Sequence, residues 1–205
     1  MLLKNVSNYL ERMFVDMEQT GEQEEITVYK EEKAFIEKYQ LLPKDQKNLL
    51  LIEREPFTRF QGAYIERCNK ETDELIAEES TSFLEMPIHY FKNHIEEFMY
   101  LESTWFEMVG ADAVSFEADS VFGTYDVMLG LKLPKKKEAS IKTFITNHLN
   151  QGSGTFSLMF NSSDGLWDFN FSLNGLSEYK EDWTINEAYC AIYRFLFQLV
   201  EGVEA

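Results

Sequence analysis

Cysteine is almost missing from this 205-residue chain: Cys68 and Cys190 stand far apart, with no Cys-x-x-Cys pair. A disulfide framework is not expected, and reduced thiols in a cytoplasmic compartment account for both residues. Proline and glycine are also sparse, at 4 and 10 residues, which excludes a collagen-like repeat or a long flexible linker. No run approaches the roughly 18 apolar residues of a membrane span. Met1 to Arg12 has neither the apolar core nor the small-residue cleavage site of a secretory signal. Positive charge is scarce as well, 19 Lys and Arg against 36 Asp and Glu, for a net charge of −17. A field of that sign repels phosphate backbones and anionic lipid, so neither direct nucleic-acid binding nor membrane association is expected. Lys132, Lys135, Lys136, Lys137 and Lys142, beside Pro134, form the nearest thing to a basic patch. They read as a solvated connection.

Large side chains are plentiful. Apolar residues make up 44% and aromatics 15% of the chain, enough to bury a core and to argue against disorder. One compact domain over 1–205 is expected, with 1–110 and 111–205 as sub-units.

Two stretches read as copies of one motif. Gly123-Thr124-Tyr125-Asp126-Val127-Met128-Leu129-Gly130-Leu131 aligns with Gly165-Leu166-Trp167-Asp168-Phe169-Asn170-Phe171-Ser172-Leu173, 42 residues later. Each copy has a glycine, an aromatic–aspartate pair and an apolar strand, with a shorter apolar strand before and an amphipathic helix after. A third, more diverged unit is read in Phe60–Cys68, Leu75–Phe83 and the helical spacing of Ile88, Phe91, Ile95, Phe98 and Met99, continuing to a stop at Gly110. Ahead of these, helices are expected on the Val6, Leu10, Met13, Phe14, Met17 face, ending before Gly21, and over about 28–41. Leu49–Ile52 reads as a buried strand and Gly152-Ser153-Gly154 as a joint. Thr184-Ile185-Asn186-Glu187 matches a capping box for the last helix. The expected fold is α+β: a mostly antiparallel sheet of repeated strand-strand-helix units, helices on one face, preceded by two N-terminal helices.

Signatures of chemistry are few. Neither GxxxxGK[ST] nor a GxGxxG after a strand occurs, and GxSxG is absent. His89, His94 and His148 lack the spacing of a ligand set. Asp126 and Asp168 are the most interesting carboxylates. If the two units pair, Tyr125, Asp126, Trp167 and Asp168 could frame a pocket for a small molecule or for acid–base work. Alternatively, each aspartate bonds the amides of its own turn while Tyr125 and Trp167 fill the core. Trp183, in the acidic stretch Glu178–Trp183, resembles an interface aromatic.

The pieces Tyr64–Cys68, Leu101–Phe106, Phe122–Asp126 and Asp164–Asp168 together resemble a family of short bacterial proteins that carries the name branched-chain amino acid aminotransferase. The resemblance implies a pyridoxal phosphate enzyme with a Schiff-base lysine and a glycine-bearing phosphate cradle. This chain shows no such cradle, and neither Lys92 nor Lys132 stands out as that lysine, so no catalytic residue is carried over and no cofactor or metal is expected. The charge, the aromatics and the missing catalytic signatures favour a non-enzymatic module that binds a protein with a basic surface. An inhibitor of a basic toxin or nuclease would fit. A homodimer through aromatic faces or a sheet edge is compatible with the sequence.

Overall fold

The computed structural model describes residues 1–20, 25–43, 49–150 and 155–204, with the side chains of 16–20 set aside. Gly21, the side chain of Met17 and the joint at 152–154 fall outside the described residues. The chain is a mixed α and β protein built on a large antiparallel sheet. Helix α1 (Leu2–Thr20) leads to strand β1 (Glu25–Val28), helix α2 (Lys30–Tyr39) and strand β2 (Leu50–Glu53), and β1 and β2 pair in parallel. The main sheet follows, with strands β3 (Tyr64–Asn69), β4 (Leu75–Glu78), β5 (Glu97–Glu102), β6 (Ala111–Ala118), β7 (Tyr125–Leu131), β8 (Phe156–Asn161) and β9 (Leu166–Ser172). Their order is β4-β3-β5-β6-β7-β9-β8, so one sheet crosses the boundary proposed at residue 110. Helices α3 (Tyr90–Asn93), α4 (Thr104–Met108), α5 (Glu138–His148) and α6 (Ile185–Glu204) complete the chain.

The sheet is two-sided in its chemistry. Ile65, Met99, Leu101, Val114, Phe116, Val127, Leu129, Phe169 and Phe171 alternate along their strands and are all buried, as period-2 side-chain geometry requires of a half-covered sheet. Helix α6 lies on this side: Phe116 meets Tyr189 with ring centroids 6.0 Å apart, and the Tyr189 hydroxyl donates to Val114 O at 3.2 Å. Helix α6 is buried on most of its circumference, which marks it as the axis of the core rather than a surface helix. Its capping box forms: Glu187 N donates to Thr184 Oγ1 (3.2 Å) and Thr184 N to Glu187 Oε2 (2.8 Å).

A helix running from Ile88 to Gly110 does not form. That segment divides into α3, β5 and α4. Phe98-Met99-Tyr100-Leu101 is a continuous apolar run that satisfies both periods, and such runs do not distinguish helix from strand. Pairing between β3 and β6 decides it, with Met99 and Leu101 inward and Phe98 and Tyr100 outward. For a similar reason Ile26 and Val28, both buried, belong to β1 and not to the following helix.

Three hairpin turns share one construction. In each, an Asn or Asp side chain accepts from the backbone N–H groups two and three residues on, and the fifth residue adopts positive φ. Asn69 Oδ1 accepts from Glu71 N (2.9 Å) and Thr72 N (3.2 Å), with Asp73 at φ 56. Asp119 Oδ1 accepts from Val121 N (2.6 Å) and Phe122 N (2.7 Å), with Gly123 at φ 65. Asn161 Oδ1 accepts from Ser163 N (3.0 Å) and Asp164 N (3.4 Å), with Gly165 at φ 73. The amide of the fifth residue closes each turn on the first carbonyl, at 2.9, 3.1 and 2.9 Å respectively. This is the Asx-turn chemistry that local side-chain bonding provides.

The N-terminal layer is tied to the core by one buried cation. Arg59 donates through Nη1 to Glu32 Oε1 (2.9 Å) and through Nη2 to Glu31 Oε2 (2.6 Å) and Glu32 Oε2 (3.1 Å). Its guanidinium sits 4.1 Å from the centre of the Tyr29 ring, 3.9 Å from Tyr193 and 4.8 Å from Trp105. Tyr193 donates its hydroxyl to Glu32, and Arg194 Nε reaches Glu31 Oε1 at 3.1 Å. Burial of charge is tolerated only with such pairing.

Two stability changes are expected. Arg59→Met should lower unfolding free energy by about 3–5 kcal/mol, because Glu32 is left charged and unpaired. Adding Glu32→Met should recover part of that loss, as read in urea titrations of both variants. Gly165→Ala should cost about 1 kcal/mol for its positive φ, whereas Gly62→Ala, in open space with no such requirement, should leave the melting temperature unchanged.

Candidate functional site

Apart from buried Cys68 and Ser172, the face of the sheet opposite α6 carries half-exposed and exposed side chains, many of them acidic. Strand register sets its rows. One reads Glu78–Glu66–Tyr100–Ser115–Met128–Asn170–Ser157, and the next Phe98–Glu117–Asp126–Ser172. Glu66 faces Glu78 and Glu117 faces Asp126 as direct cross-strand partners. Like charges so placed repel at close range and destabilise a sheet. Glu102, Asp112 and Asp168 extend the negative surface.

Cations on this side are few and engaged. Lys70 Nζ lies 3.2 Å from Glu117 and donates to Ala118 O at 2.6 Å, and Lys132 pairs with Asp112. Tyrosine hydroxyls serve the carboxylates too: Tyr64 donates to Glu66 and Tyr100 to Glu102 (2.5 Å). Partial burial and that bond push the Tyr100 hydroxyl up to about 12. Burial, followed by the charges of Asp119 and Glu117, raises the Asp126 carboxyl above its ordinary 3.8, against a smaller opposing pull from Lys70. Asp126 is thus a partly desolvated carboxylate crowded by others of its kind.

The candidate residues separate across the sheet. Successive strand residues point to opposite sides, so Tyr125 and Trp167 are buried in the core while Asp126 and Asp168 lie on the acidic face. Tyr125 stacks on Phe116 with centroids 5.4 Å apart. Trp167 Nε1 donates to Leu133 O at 2.9 Å. Asp126 pairs with Ser172 and Asp168 with Gly130, four residues down the same ladder, a separation of roughly 14 Å. A pocket between the units lined by these four side chains is therefore corrected: the sheet itself stands between the rings and the carboxylates. The turn amides are bonded by Asp119 and Asn161, seven positions earlier, and not by Asp126 and Asp168.

Trp183 belongs to the helical side. It is buried and lines an open cleft of about 620 Å³ with Phe57, Cys190 and Arg194. It reaches Tyr125 through Tyr179, by ring contacts of 5.8 and 6.5 Å. In that cleft Arg194 is held by Glu31 and Glu178, and the Cys190 thiol, raised to about 11 by burial, donates to Pro56 O at 3.3 Å. A protonated, hydrogen-bonded thiol is a poor nucleophile. His94 stacks on Tyr90 and His148 on Phe144, at 4.0 and 3.8 Å. Among the described residues no group of three or more His, Cys, Asp or Glu is placed to hold a metal. Of the lysine cluster, Lys137 donates to Val203 O at 2.6 Å and Lys142 pairs with Glu138. No described helix is long and apolar enough to cross a membrane. Comparison of the chain with protein-family models, curated proteins and solved structures gives no match.

Because Asp126 holds its proton to higher pH when folded, charging it costs stability above that range and costs nothing below its ordinary value. Asp126→Asn should therefore melt higher than the parent at neutral pH, with the advantage shrinking as pH falls toward 3.8. Thermal melts over that pH range test this; an advantage independent of pH would contradict it.

Proposed function

We propose that this chain is a non-enzymatic, cytoplasmic binding module that recognises a protein with a basic surface through the acidic face of its sheet. The observation that carries this reading is the direct opposition of Glu66 to Glu78 and of Glu117 to Asp126. Like charges so opposed repel; Lys70 beside Glu117 and the Tyr64 hydroxyl between Glu66 and Glu78 offset this in part, and a cationic partner would turn the remaining repulsion into attraction. Phe98, Tyr100 and Met128 lie in the same rows and supply contact area between the charges, the mixture that favours a protein partner over a simple counter-ion. A second copy of the chain on this face is disfavoured, since it would set the same carboxylates against themselves. We also read β6–β7–α5 and β8–β9–α6 as two copies of one unit, a reading supported by their shared Asx turns at Asp119 and Asn161.

Affinity capture from lysate by the wild-type chain should recover a partner at low ionic strength and release it near about 1 M salt, where screening acts within roughly 3 Å. The variant Glu66→Gln/Glu78→Gln/Glu117→Gln/Asp126→Asn should recover much less of that same partner. Equal recovery by the two proteins, or retention unaffected by salt, would sink the proposal.

A further inference from the structure

The turn between β6 and β7 holds the two most exposed large apolar residues described, Val121 at 78% and Phe122 at 80% exposure. Their exposure is not a matter of looseness. Both amides are bonded to Asp119 Oδ1, at 2.6 and 2.7 Å, and Gly123 N closes the turn on Asp119 O at 3.1 Å. The two side chains are thus directed outward by a fixed backbone.

The molecule supplies its own control. The other two turns of this build carry Glu71-Thr72 and Ser163-Asp164 at the corresponding positions. Polar residues satisfy the construction equally well, so the turn has no need of valine or phenylalanine. Holding a phenyl ring in water forgoes the gain of burying it elsewhere. The need must come from outside the chain.

The position of the turn says what it meets. Asp119, Glu117 and Asp126 flank it, so the apolar tip rises from the edge of the acidic face. An anionic membrane is repelled by the net negative charge there, three carboxylates against Lys70, and a second copy would bring like charges together. We infer that Val121 and Phe122 form a rigid apolar anchor that enters a pocket on the basic protein partner, beside the contact made by the acidic face. This rests on the function proposed above and adds an element that charge alone does not contain. The geometry follows the pattern of interface hot spots, an apolar anchor ringed by polar contacts, with little ordering entropy left to lose.

Two synthetic probes separate the contributions: an oligolysine peptide, and an amphipathic helical peptide of leucine and lysine with equal charge. The wild-type chain should bind both at low salt, the leucine-bearing peptide about tenfold more tightly, as expected for burial of one large ring. Phe122→Ser should abolish that preference and leave oligolysine affinity unchanged. Neutralising Glu117 and Asp126 should weaken both. If the preference survives Phe122→Ser, the anchor is refuted while the charged face stands. If oligolysine fails to bind but the leucine preference depends on Phe122, the charge reading falls and the anchor stands. Two further results would overturn the anchor as proposed: Phe122-dependent partition onto phosphatidylcholine vesicles, which makes the tip a membrane wedge, or Phe122-dependent dimerisation of the free protein in sedimentation, which makes it a self-contact.

Discussion

The arrangement of this protein depends on the burial of Arg59. Arg59, with 4% of the residue exposed, requires carboxylates and rings around its guanidinium, and the residues that supply them come from separate parts of the chain. Glu31 and Glu32 stand on α2, Tyr193 and Arg194 on α6, Trp105 on α4 and Tyr29 at the end of β1. A shift of α2 against Arg59 or against α6 would break charged contacts in a medium that solvates them poorly. The small parallel sheet and α2 are therefore locked to the principal core by geometry as well as by apolar contact.

That lock leaves the opposite face of the sheet free to differ. Helix α6 and its neighbours cover the rings of the inner side, and the outer positions are largely open to solvent. The outer positions can then carry opposed carboxylates that packing does not call for. Stability resides on one side of the sheet and the candidate binding chemistry on the other. Strand alternation alone keeps the two apart, so a substitution at Asp126 perturbs charge while its neighbour Tyr125 perturbs packing.

Much of the architecture was legible where pattern and turn chemistry agree. The paired strands of the Gly123 and Gly165 motif copies and the capping box at Thr184–Glu187 rest on local signals that tertiary contacts do not override. Reading failed where a run of apolar residues suited either period, as at Phe98–Leu101, because only the neighbouring strands choose between helix and strand. The candidate site was half legible. Asp126 and Asp168 were singled out for recurring in the motif, but pairing each with its aromatic neighbour ignored that adjacent strand residues part company across a sheet. Glu66, Glu78 and Glu117 were missed because their significance lies in cross-strand register, which one sequence does not display. The Asx turns did leave a signal: Asn or Asp, three residues, then Gly or Asp, at Asn69, Asp119 and Asn161.

The outermost strands of the sheet bear on how this molecule behaves in company. Strand β4 exposes Leu75 and Ile76, and β8 exposes Met159; among the described residues both are outermost strands, with backbone edges beside greasy side chains, the usual recipe for strand-to-strand stacking between molecules. Mutual repulsion among chains of charge −17 holds those margins apart. The acidity therefore has a second duty as a spacer, and acidification toward the isoelectric point near 4.6 removes it together with any attraction for a cationic partner.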